Sequence, residues 1–179
     1  MNASRRKALN DFKKDGNGKY VYRGSEYFYA PGNRLSLPAA VTRLWLWAAL
    51  LFAASAAQGC IPTDGMTNCA YVLTPCCAQI ICSVTVLWAL VQMIGAKSGL
   101  REYEYAASVQ VLPRRALLTA VFAAATLVGE CVYLALHGVK HSLLTVLVTV
   151  LLLLSGAAGL LLRRLARSLL WECREPGGN

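Results

Sequence analysis

The residue best placed to do chemistry is Glu130. It stands inside an apolar stretch, Ala116 to Leu136. A carboxyl group there is costly and is by default a candidate for handling protons or cations. Tyr133 lies three residues on and His137 seven on, so helical spacing puts all three on one face. His141 follows across a short connection. Glu130, Tyr133, His137 and His141 therefore form a candidate proton or cation site. The plainer alternative is a structural hydrogen bond from Glu130 to a neighbouring helix. The plain reading is favoured because no second acid lies within an apolar stretch to relay a proton.

Sulfur is the second reactive element. The seven cysteines are Cys60, Cys69, Cys76, Cys77, Cys82, Cys131 and Cys173. No Cys-x-x-Cys pair occurs, and the spacing supports no structural zinc site, so no metal or cofactor is expected. Cys60 and Cys69 share the loop between the first two apolar stretches, on the side expected to face outward, where a disulfide would close it. Cys76 and Cys77 follow just inside the next stretch and could attack such a bond by thiol exchange. The layout is similar to that of four-span membrane thiol oxidases. It departs from them by lacking both the Cys-x-x-Cys and a cysteine pair in the second loop. The run Leu50 to Cys60 also has the look of a lipoprotein signal, but 43 residues with turns of their own precede the apolar stretch, and Ala57 stands where leucine is usual.

A third candidate is aromatic. Tyr20-Val21-Tyr22 and Tyr27-Phe28-Tyr29 flank Arg23-Gly24-Ser25-Glu26, which reads as a β-hairpin turning at Gly24-Ser25. That register puts Tyr20, Tyr22, Tyr27 and Tyr29 on one face. The face either packs against the end of the molecule or docks a partner protein. A short helix over 4–12, stopped by Asp15-Gly16-Asn17-Gly18, is expected ahead of it.

The elements that must position these residues are four apolar stretches. Ser142 to Leu162 has no charge in 21 residues and no polar face. Roughly 20 apolar residues in a helix span a hydrocarbon core about 30 Å thick. Leu44 to Gln58, the uncharged run within Gly65 to Ala96, and Ala116 to Leu136 complete the set. Trp45 and Trp47 sit at an aromatic-belt position. In the second span either Thr67-Asn68 caps the helix and Pro75 kinks it, or Thr74 caps it and Pro75 opens it. Small residues four apart promise close helix packing: Ala49, Ala53 and Ala57, then Ala116, Ala120 and Ala124, then Ser155 and Gly159 beside Gly156. Residues 100–111 read as an interfacial helix, with a strand through Tyr103 and Tyr105 as the alternative.

The fold class that follows is an all-α integral membrane protein. It comprises a four-helix transmembrane bundle over 44–162, a small cytoplasmic N-terminal β-hairpin arm over 1–43, and a basic tail over 163–179. Of the 18 basic residues, nine fall in the arm, four between the second and third spans, four in the tail and one, Lys140, on the other side. That asymmetry implies a multi-pass cell-membrane protein with both termini cytoplasmic. The formal charge of +9 is a topology signal rather than a nucleic-acid footprint. The expected partners are the lipid bilayer and another membrane protein or a homo-oligomer. The sequence favours a non-enzymatic accessory or scaffold subunit of a membrane complex. A small proton- or cation-coupled carrier using Glu130 and a membrane thiol-disulfide oxidoreductase are the alternatives.

Overall fold

The computed structural model describes residues 12–14, 16, 18, 20–22, 24–94, 99–138 and 142–174. It is mostly helical. Four long helices carry the mass: α1 (Leu37–Gly59), α3 (Ala70–Val91), α5 (Leu112–His137) and α6 (Ser142–Ser168). The short α2 (Asp64–Asn68) and α4 (Glu102–Ala107) lie in the first two connections. Pro38 and Pro113 fall in the first turns of α1 and α5, where a missing N–H costs nothing. Gly138, at φ 76°, ends α5.

All four long helices are long and apolar enough to cross a membrane. Their 22 to 27 residues give roughly 33–40 Å at about 1.5 Å per residue. The outer surface is as apolar as the interior: Leu46, Ile81, Val128 and Leu153, one from each helix, are all more than half exposed. A helix apolar all round belongs in lipid or in a larger core. The four helices therefore point to a multi-pass membrane protein.

The bundle is an antiparallel square in chain order. α1 packs on α3 and α6, and α5 packs on the same two. One apolar cluster, around Leu44, Leu51, Leu90, Leu112 and Leu162, fills one end. A smaller one, with Met66, Val72, Cys76, Val148 and Leu152, fills the other. The small-residue stripes sort unequally. Gly159 meets Ala116 and Ala120 as expected, with room for little more than its hydrogen. Ala124 is exposed, and Ala123 takes its place in the interface. Ala49, Ala53 and Ala57 all face outward, and α1 buries Leu44, Ala48, Leu51, Ala54, Ser55 and Gln58 instead. A face of large and polar residues that finds partners outcompetes a face that offers only close approach.

α3 begins at Ala70 and carries Pro75 in its interior, so neither Thr67-Asn68 nor Thr74 caps it. Pro75 has no N–H to give the Tyr71 carbonyl four residues back. That carbonyl faces Gly129 of α5, where a Cβ would lie 3.3 Å away. In the connection 100–111, Tyr103 and Tyr105 lie in the helix α4 and not in a strand; the strand is confined to Leu100–Arg101, with Leu100 fully buried.

The hairpin expected at Gly24-Ser25 does not form. β2 (Tyr20–Tyr22) pairs instead with β1 (Phe12–Lys14), with Phe12 opposite Tyr22 and Lys14 opposite Tyr20. Of the helix expected over 4–12, only Phe12 is among the described residues, and it is a strand residue. β3 (Glu26–Tyr29) becomes the middle strand of a second sheet, in the order β4 (Leu100–Arg101), β3, β5 (Trp171–Arg174), all antiparallel. Non-local pairing wins because it covers both edges of β3 and places Glu26 opposite both Arg101 and Arg174. The sheet joins the arm, the central connection and the tail at one end of the bundle.

This pairing splits the tyrosine face. Tyr27 stacks on Tyr105, with ring centroids 4.0 Å apart and planes 4° from parallel. Tyr29 meets Trp171 edge-on at 5.6 Å, and its hydroxyl donates to the Leu35 carbonyl at 2.8 Å. Tyr22 lies edge-on to Tyr103 with Arg101 over its ring, and Tyr20 is exposed.

Burial, and then the neighbouring Cys173 thiol, push Tyr27 up from the ordinary tyrosine value of 10.0; burial does the same to Tyr29. The unfolded chain therefore releases these protons first as pH rises. The stability they contribute is complete below about pH 10 and is lost as pH climbs through the folded values. Tyrosinate absorbance should show a late-titrating component that shrinks in Tyr27→Phe and disappears when the sheet unfolds.

Candidate functional site

Glu130 is 3% exposed, on the inner face of α5 at the end of the bundle away from the sheet. Its partner comes from the loop and not from another long helix. Thr63 caps α2, and its Oγ1 accepts from the Met66 N–H at 3.2 Å. The same hydroxyl donates to Glu130 Oε1 at 2.5 Å. Asp64-Gly65 brings the α2 backbone directly over the carboxyl group. A Cβ on Gly65 would lie 2.5 Å from Glu130 Oε2. The glycine is what allows the short helix to sit down on the acid. α2 continues the seal with Met66, which packs on Val72 and Cys76.

Tyr133 and His137 share that face, as expected, and touch each other. Their rings stack at 4.5 Å and 17°, and His137 Nδ1 lies 3.2 Å from the Tyr133 carbonyl. Tyr133 is buried and His137 exposed. Glu130 thus points to Thr63, while the aromatic pair continues along α5. His141 lies outside the described residues.

The Cys60–Cys69 disulfide expected from sequence does not form; all seven cysteines are free thiols. α2 lies between the two residues and separates their surroundings. Cys60 is exposed at the end of α1, its N–H bonded to the Ala57 carbonyl. Cys69 is half-buried against the Met66–Val72 cluster. Cys76 and Cys77 do not lie beside a disulfide. Together with Cys60 they border a cavity of about 310 Å³ under the loop. Among the described residues no three His, Cys, Asp or Glu side chains converge as a metal set.

The largest polar constellation was missed by sequence reasoning. Gln79 of α3 is fully buried at mid-bundle. Its Nε2 donates to Ser55 Oγ of α1 at 3.1 Å and, across the diagonal, to Ser155 Oγ of α6 at 2.8 Å. Its Oε1 accepts from Gln58 Nε2 of α1 at 2.8 Å. Gln58 Nε2 also reaches Cys76 Sγ at 3.8 Å, and Gln58 Oε1 is buried without a partner. This layer separates the two apolar clusters and ties three helices in one register. The available signal was that Gln79 is the sole carboxamide in Ala70–Val91, on the same face as Val72, Cys76, Ser83 and Val86. A polar group inside a span needs a partner.

The chemistry this arrangement supports is fixation. The buried acid holds a loop helix and the buried amides hold the bundle. Comparison with family models, curated proteins and solved structures gives no match.

Proposed function

We propose that this chain is a multi-pass cell-membrane protein, with both termini cytoplasmic, that serves as a non-enzymatic accessory or scaffold subunit of a membrane complex. The observation that carries the reading is the state of Glu130. The acid most able to move a proton or cation is engaged by Thr63 Oγ1 and roofed by the Gly65 backbone. A carrier would need that carboxyl group to open to a cavity. The orientation follows from the 17-to-1 split of basic residues along the sequence, which the positive-inside rule assigns to the cytoplasmic side. The partner is another membrane protein or a second copy of this chain, met through apolar helix faces.

The test is purification of the intact chain from its native membrane in mild detergent, after brief cross-linking. A second polypeptide, or a second copy, in fixed stoichiometry supports the reading. A chain recovered alone at every cross-linker concentration overturns it.

A further inference from the structure

The end of the bundle that carries the sheet also carries a built cavity of about 460 Å³. It lies between the loop before α1, the second turn of α1 and the exit of α6. Asn33 holds it open. The Asn33 amide donates to the carbonyls of Ala30 and Leu170 at 2.9 and 2.8 Å, and its Oδ1 accepts from the Leu170 N–H at 2.8 Å. These bonds use both amide hydrogens and fasten two chain segments 137 residues apart. What remains facing the cavity is of two kinds. Leu35, Leu169 and Leu170 give it apolar walls. Arg34 and Arg43 give it two guanidinium groups, and among the described residues no acid lines it. Among the described residues neither arginine has a hydrogen-bond or ion-pair partner. The 23-residue α1 starts beside it, with no acid in its first turn and no side-chain bond from its cap, Ser36.

Two arginines with no partner among the described residues, set beside apolar walls at the end of the bundle where α1 begins, match one chemistry. We propose that this cavity binds the phosphodiester headgroup of an anionic phospholipid from the surrounding bilayer. Arg34 and Arg43 hold the phosphate, since a guanidinium fork fits two phosphate oxygens at once. The leucines receive the glycerol and the first acyl carbons. The site is independent of Glu130 and of whether the chain has a protein partner.

The test uses the full chain in mild detergent, titrated with phosphatidylglycerol, phosphatidylcholine and inorganic phosphate, with bound lipid counted by native mass spectrometry. Phosphatidylglycerol should bind in preference to phosphatidylcholine. The double variant Arg34→Gln/Arg43→Gln should bind it about thirtyfold more weakly, since each interfacial cation contributes about fivefold. The control Arg114→Gln/Arg164→Gln removes two exposed charges from the same end without touching the cavity, and should bind nearly as the native chain does. Both pairs are exposed, so unchanged helicity and melting establish that the variants fold. Equal binding by the Arg34/Arg43 variant overturns the proposal, as does equal weakening by the control. Displacement of the lipid by inorganic phosphate overturns the lipid assignment in favour of a free-phosphate site.

Discussion

Gly159→Leu is expected to lower the stability of the bundle by about 3 kcal/mol or more. A Cβ at Gly159 already falls 3.0 Å from the Ala116 carbonyl oxygen and 3.3 Å from Ala120 Cβ. The carbonyl belongs to the backbone of α5 and cannot turn aside, so a leucine must push α5 and α6 apart along their contact. The contrast lies one turn away. A Cβ at Gly156 meets only Ala123 Cβ at 3.9 Å, an ordinary contact. Gly156→Ala should therefore fall within about 0.5 kcal/mol of the native protein, while Gly159→Ala costs about 1 kcal/mol. Unfolding in mixed micelles by increasing denaturing detergent measures all three. Equal effects at 156 and 159 would show that α5 and α6 do not cross at Gly159.

Gln79→Ala should cost a similar amount, about 3 kcal/mol, for a different reason. Part is the cavity left by a side chain with no exposed surface. The rest is the loss of bonds to Ser55, Ser155 and Gln58. Interhelical hydrogen bonds of this kind contribute about 0.6 kcal/mol each in a membrane. Gln79→Leu separates the two parts. It keeps most of the volume and removes all three bonds, so it should cost about 2 kcal/mol. If Gln79→Leu were as stable as the native chain, the layer would be held by packing alone.

The helices were legible in the sequence because lipid imposes a one-dimensional rule: enough apolar residues in a row between charges. The same rule says nothing about which side of a helix faces inward. Ala49, Ala53 and Ala57 satisfied a small-residue pattern and face outward, while Gln58 and Gln79, to which sequence reasoning assigned no role, organise the interior. The sheet was illegible for a related reason. Gly24-Ser25 is good local turn chemistry, but β3 gains both edges from strands about 75 and 145 residues away in sequence. Local pattern carries no record of such partners. Glu130 was legible as a residue that matters, because a lone acid in an apolar stretch always is. Its partner was not. Thr63 and Gly65 looked like ordinary loop residues, and only the fold shows that the loop is a helix seated on the acid.

The proposed accessory role requires Glu130 to be a fastening and not a carrier of charge. The direct measurement compares the native chain with Glu130→Gln in sealed vesicles holding a pH-sensitive dye, under imposed proton and cation gradients. The carboxamide oxygen of glutamine can still accept from Thr63, so the variant should fold and melt as the native chain does. Native and variant vesicles are expected to dissipate each gradient at the same rate as empty ones. A faster loss through the native chain, abolished in a Glu130→Gln protein that melts normally, would contradict it.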